Sequence, residues 1–596
     1  MQIWNSIRTP IVVAGAMAAL LLGSLAQAQV FDQVPSDALA VLRIKNVDAV
    51  SKKAGKLARG LGLDQISPEL GDPLGALEDK AHMGKGVDKN GDLAMVLEDP
   101  DKHGEGDKSL LILVPVDDYK AFLSNFKATE SVGDVTKATP VDGDEDVFVA
   151  HWGKFAAMSP NKDLVAKKPD GLKLEGAVAK EAASRDAIIY ANVVALRDKA
   201  LPELKKAREE MVSQAEKQLT DAGGDSLKPF APVLGVLLNE YMDAIEEVLN
   251  DCRGAVLGVN LSDEGVSISI VSDFEPDSAI GKMAREIKNT DKPLLAGLPD
   301  KKYFAFGGSV NNPEASAKLL DNVLEPIKAE LAKIKEAKKF LPALDSLQKN
   351  AAATSGVSFG WVAPTGALGT ESVLQQVEVI HGDATAIHAT QRQMFEAMGD
   401  LLKELPQQPK SSTSLKFDPD AKTVDGVKLD AYETKTAIDE QTPEGAMAKQ
   451  IMTMVYGPNG QTGVVGEVDA KTLLLVQGGS DQLIADSVAA AKNGSDAVSD
   501  RASVKAVAGE LPKKRAAEVY VDLGAIGNFV IQGAKQQGMA INVKLKPNLP
   551  PVGMTASSDG SAIRCDVFIP NTLLEGLGAA VIQTMQQAKE GPGGGL

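Results

Sequence analysis

One local pattern recurs along this 596-residue chain and limits what it can fold into: a short alternating apolar run, then Asn or Asp, then an amphipathic helical stripe. In residues 34–60, Leu42 and Ile44 alternate as in a half-buried strand. Asn46 then fits a helix N-cap, because its side-chain oxygen can accept an unpaired first-turn N–H. Behind it Val47, Val50, Ala54, Leu57, Ala58 and Leu61 share one helical face. Residues 188–196, around Asn192, and 518–526, around Asp522, repeat the order Asn or Asp, aliphatic, any residue, Ala, aliphatic. A looser copy runs from Leu298 to Asn312 and Pro313, where proline suits the first helical position.

The segments between these copies also match in order. A strand–helix stretch at 155–168 precedes the copy at Ile188, and one at 472–492 precedes the copy at Val519. Both halves close on a hairpin, with Gly265 or Gly560 in the turn. We therefore expect an α+β fold built as a duplicated unit, with mostly antiparallel sheets covered by long amphipathic helices. The expected divisions are 29–275 for the first half, 276–297 for a connection, 298–590 for the second half and 591–596 for a loose tail. Two long helical stripes follow Ile188, one through Leu204, Met211 and Leu219 and one through Leu234, Leu237 and Tyr241, and Gly223-Gly224 is expected to separate them.

The first residues bear on location. Arg8, the apolar run 11–22 and the small-residue site Ala26-Gln27-Ala28 read as a secretory signal cleaved near Ala28. The run is shorter than the about 20 residues a membrane helix needs, so no transmembrane span is expected in the mature chain. A periplasmic or extracellular location follows. The net charge of −18 disfavours nucleic acid and anionic lipid surfaces, which select basic patches. Aromatic residues are only 4% of the chain, which leaves few platforms for stacking on bases. Cys252 and Cys565 could pair in an oxidising compartment, and two free buried thiols are the ordinary alternative.

Three short pieces, Val34-Pro35-Ser36-Asp37-Ala38, Leu298-Pro299-Asp300 and Leu511-Pro512-Lys513, carry a resemblance. The chain resembles a loose class of exported bacterial proteins of unknown function whose modules open with a Leu-Pro-x-Asp-Ala strand and return in the second half. The resemblance covers most of the mature chain in layout, and it implies no catalytic residues.

Candidate chemistry is sparse. Gly356-Val357-Ser358-Phe359-Gly360 matches the nucleophile-elbow string of serine hydrolases, with Asp383 and His388 following in that class's order. That chemistry needs a strand, a sharp turn and a helix, whereas Ser358 sits inside an apolar run that reads as the strand itself. Asp88, Asn90 and Asp92 place oxygen ligands as a calcium loop begins, yet Leu93 stands where that loop needs glycine, so a plain Asn-Gly turn competes. The five histidines, His82, His103, His151, His381 and His388, show no metal-ligand spacing, and no cofactor is expected. The leading expectation is a non-enzymatic exported scaffold or partner-binding module that meets an unknown protein or envelope partner. A carrier of an apolar, lipid-like ligand held between the long helices and the sheets is the alternative, and a hydrolase using Ser358 is the third.

Overall fold

The computed structural model describes residues 30–590 apart from 142–144, 228–230, 367–368, 405–410, 439, 459, 537 and 539–542. The expected signal, 1–28, and tail, 591–596, lie outside the described residues. The fold is α+β. Two compact units divide the chain: Met1–Pro202 with Glu247–Ala284 and Asp559–Leu596, and Glu203–Glu246 with Arg285–Ser558.

The strands of the first unit are β1 (Ala40–Ile44), β2 (Leu93–Leu97), β3 (Leu110–Pro115), β4 (Ala128–Val132), β5 (Val135–Thr139), β6 (Val147–Trp152), β7 (Phe155–Ser159), β8 (Ala187–Ala191), β9 (Cys252–Leu261), β10 (Gly265–Phe274) and, from late in the chain, β20 (Ala562–Pro570). They pair antiparallel in the order β4-β5-β6-β7-β3-β2-β1-β8-β9-β10-β20. The second unit holds β11 (Tyr303–Val310), β12 (Thr354–Val362), β13 (Gln375–Gly382), β14 (Ser411–Val424), β15 (Val427–Ile438), β16 (Gln461–Asp469), β17 (Thr472–Gln477), β18 (Ala517–Val521) and β19 (Val552–Asp559). Its order is β14-β15-β16-β17-β13-β12-β11-β18-β19, again antiparallel. Adding ten to each strand number from β4 through β9 of the first order reproduces the second. That identity of topology is the duplication.

The recurring junctions form for the expected reason. Asn46 caps the helix Val47–Gly60 by accepting from the Ala49 amide at 3.1 Å. Asn192 accepts from Ala195 at 3.3 Å, and Asp522 from Ala525 at 2.7 Å. Asn46 does so from φ 44°, a left-handed conformation that asparagine tolerates better than most residues. Asn312 makes no side-chain cap, and Pro313 opens that helix instead.

In the first unit helices pack on both faces of the sheet, while Ile189, Leu257 and Ile270 stay exposed on one of them. Val41, Val96, Leu111, Leu113, Ile188 and Val256 point to one side, where Val178 and Ala182 of helix Gly176–Ser184 pack on them. On the other side Ala54 and Leu57 cover Ile44, Ala187 and Leu261, while Phe122 of helix Tyr119–Leu123 covers Val114, Val147 and Met158. Alternation along each strand produces this division.

Gly223-Gly224 does not break the helix there, which runs Val193–Leu227. Each glycine costs about 1 kcal/mol against alanine, too little to end a helix of that length by itself. Helix Pro313–Leu331 buries Leu324, Ile327 and Leu331 against Val233 and Val236. Leu237, central in its stripe, is left 48% exposed.

A methionine-lined cleft in the first unit

The equivalent sheet faces of the two units are closed differently, and the difference makes a site. In the second unit the helix after β13 runs Ala384–Glu404 and lies beneath helix Leu341–Ala353. Its Ala384, Ile387 and Phe395 fill the space over Ile380, Val465 and Leu473. In the first unit the corresponding helix after β3 has five residues, Tyr119–Leu123, and ends at Ser124. Helix Pro73–Ala81, set by the Asp72 cap and Pro73 at its first position, packs on helix Val47–Gly60. No residue of helix Pro73–Ala81 is fully buried.

An apolar cleft of about 130 Å³ is left between that helix and the sheet. Leu74, Leu77 and Ala81 form its roof, and Leu93, Met95, Ile112 and Met158 its floor, with Met83 and Phe126 among the remaining walls. Leu93, Met95 and Ile112 belong to interior strands, yet each is only part-buried. Val141, 44% exposed, also lines the cleft.

Few polar groups face this space, and those with defined partners are occupied. The Asn125 amide donates to the Lys85 and Phe122 carbonyls at 2.9 and 2.7 Å, and its oxygen accepts from the Lys85 amide at 3.1 Å. Ser159 accepts from the Asn161 amide at 3.0 Å. Glu78 accepts from Lys89 at 2.8 Å, a bond that raises the Lys89 ammonium above its ordinary value. Glu78 and Glu145 are the charged residues of the lining.

The candidates expected from sequence stand elsewhere and apart. Ser358 is buried in the middle of β12, between β11 and β13, and donates to the Leu294 carbonyl at 2.9 Å. Asp383 accepts from the Ala386 amide at 3.0 Å at the start of the helix after β13. His388 has Glu467 3.0 Å from Nδ1 and Asp430 2.9 Å from Nε2. Arg392 grips the same Asp430 through two bonds of 2.6 and 2.7 Å. Burial works to raise the Asp430 carboxyl, but the Arg392 bonds, the Asp420 amide and His388 overcome it and hold it below the usual carboxylate range.

Asp88 closes a turn, accepting from the Asn90 amide at 3.0 Å, and Asp92 accepts from the Asn46 amide at 3.0 Å with Arg43 at 3.6 Å. Among the described residues no group of three or more His, Cys, Asp or Glu is placed to hold a metal ion. Cys252 is buried, Cys565 is exposed, and both thiols are free. Cys252 pairs with Phe274 on one side of β10 and Cys565 with Ile270 on the other. Strands flanking a common neighbour lie about 9.5 Å apart, beyond the ~7 Å between Cα atoms that a bridge allows.

Sequence reading missed the cleft. Its one local signal was Asp72-Pro73, a helix start, ahead of the alternating Leu93 and Met95.

The fold thus defines an α+β protein of two topologically repeated units with an apolar cleft in the first. No family model matches the chain, and no curated protein matches it. Among solved structures, crystal form III of TP0453 aligns with 49% of this chain and 98% of its own length, at 10% identity and a TM-score of 0.20, a likeness too slight to bear on fold or function.

Proposed function

We propose that this protein is an exported, non-catalytic binding module that docks an envelope partner through the cleft under helix Pro73–Ala81. The observation that carries the reading is the part-exposed floor of Leu93, Met95 and Ile112, where the second unit has a packed core. Interiors pack to crystal-like density, so a hollow over interior strands is a departure with a use. The separate duties of Ser358, Asp383 and His388 support a non-catalytic role. A periplasmic location rests on residues 1–28, and no helix among the described residues is long and apolar enough to cross a membrane.

A lipid carrier that uses this cleft is the weaker reading on volume. Sites for drug-sized ligands run from ~300 Å³ upward, more than twice this cleft. The test is fluorine NMR of fluorobenzene with the purified full chain. Saturable uptake is expected in the wild type and not in Ala81→Phe, whose ring would occupy the roof. No saturable uptake, or uptake unchanged in that variant, overturns the cleft as the site.

A further inference from the structure

We infer that the occupant of the cleft is one ring-sized apolar side chain, presented by a partner segment that carries positive charge beside it. This rests on the cleft being the binding site and specifies what it takes. Size sets the first half of the inference. A cavity of ~150 Å³ lined by aliphatic and aromatic side chains takes one benzene, and this cleft has about 130 Å³. A single phenyl or branched aliphatic group fits, and a long acyl chain does not.

The lining sets the tolerance. Met83, Met95 and Met158 surround the space from a loop and two strands. Thioether side chains are unbranched and polarizable, so they reshape around different apolar groups and make favourable contacts with ring edges. Phe126 adds an aromatic wall. Such a surface accepts phenylalanine, leucine or methionine from a partner rather than one exact shape.

Charge sets the second half. Among the described residues the lining contains two carboxylates, Glu78 and Glu145, and no lysine or arginine, while Lys89 pairs with Glu78 at 2.8 Å from outside it. The chain as a whole carries −18. An apolar anchor flanked by acidic residues would meet like charge at the cleft, whereas lysine or arginine on either side would be drawn to it. A partner segment of alternating apolar and basic character has the complementary chemistry, and a free fatty acid has the opposite.

The test follows the methyl signals of Met83, Met95 and Met158 in methionine-labelled full-length protein, each assigned by its Leu substitution. Three short peptides are titrated: phenylalanine flanked by lysines, phenylalanine flanked by glutamates, and alanine flanked by lysines. The expected result is saturable movement of all three signals with the first peptide. The second should bind at least tenfold more weakly, and the advantage of the first should shrink as salt is raised. The third should leave the signals in place. Ala81→Phe should abolish the response, and Leu77→Phe serves the same end if that variant does not fold. Equal binding of the two phenylalanine peptides, or equal binding of the alanine peptide, overturns the inference. So does displacement of the first peptide by monomeric dodecyl maltoside, which would mark a chain-binding site. If fluorobenzene moves the three signals and no peptide does, the inference fails while the cleft remains the site; if fluorobenzene also fails, both fall.

Discussion

The Lys53 ammonium stands 3.9 Å from the Asp186 carboxylate, too far for a hydrogen bond, where the helix Val47–Gly60 meets the start of β8. Burial pushes Asp186 up to about 7 and Lys53 down to about 8, each against the pull of the other. The two shifts act on stability in opposite pH windows. A carboxyl raised in the folded state holds a proton that the unfolded chain has already released, so stability falls as pH climbs from about 4 to about 7. A lowered lysine loses its proton first in the folded state, so stability rises as pH climbs from about 8 toward 10.

Stability should therefore pass through a minimum between pH 7 and 8. Glu98, pushed up to about 7 by burial and by Asp37, adds to the acid-side slope. Each group contributes at most ~1.4 kcal/mol per pH unit. Asp186→Asn should reduce the slope between pH 5 and 7 in urea melts, leaving the shares of Glu98 and of the other carboxyls raised by burial, Glu378 and Asp522. An unchanged slope would show that Asp186 is not the linked group.

The thiols give a second expectation. Burial pushes the Cys252 thiol up to about 11; partial burial and Asp566 also raise Cys565, but that side chain is exposed on β20 and open to a reagent. A thiol reagent at pH 8 should modify one cysteine in the native protein and two after denaturation, because the thiolate is the reacting form. Cys565→Ser should remove the native reaction and leave only the one that appears on denaturation, at Cys252. Two unreactive cysteines that appear only on reduction would mean that a bridge exists after all.

The capped junctions were legible because each depends on a handful of neighbouring residues. Asn46, Asn192 and Asp522 bond amides three positions ahead, and that spacing is visible in the sequence. The duplicated order followed from the same local signals. The hairpin of β4 and β5 escaped because Thr129, Ser131, Thr136 and Lys137 offer little apolar alternation. The cleft escaped for a different reason. The short helix after Val116 and the long one after Asp383 could each be read from periodicity. That the first leaves Met95 and Ile112 part-buried while the second fills the equivalent space depends on the pairing of distant strands, which no local pattern records.

His388 and Ser358 belong to separate networks, which makes a double-mutant cycle informative. Removing the His388 ring takes one partner from the buried Asp430 and leaves it the Arg392 pair, at a cost of ~1–3 kcal/mol. Ser358→Ala removes only the bond to Leu294. With no shared partner, the two losses should add within ~0.3–0.5 kcal/mol in the double variant, measured by urea unfolding. A coupling energy well above that would place the hydroxyl and imidazole in one unit, as hydrolysis would require. Ester turnover should be absent in all four proteins.

The contrast between the two units can itself be measured. Leu473 is fully buried beneath Ala384 and Ile387, so Leu473→Ala deletes atoms from a packed core whose walls cannot collapse, and a loss of ~2–5 kcal/mol is expected. Ile112 faces the cleft and is already short of neighbours on that side. Ile112→Ala forfeits only the contacts it now makes, and enlarging an existing hollow adds little new cavity surface, so the loss should stay below ~2 kcal/mol. The opposite change separates the sites further. Ala81→Phe should be tolerated or stabilising because it fills free space, whereas Ala384→Phe must displace packed neighbours and should cost ~1–3 kcal/mol or more. Urea unfolding of the four variants tests the pair of inequalities together. Equal losses for Leu473→Ala and Ile112→Ala, joined by a destabilising Ala81→Phe, would mean that the first unit closes over its sheet as tightly as the second, and the cleft could not serve as a binding site.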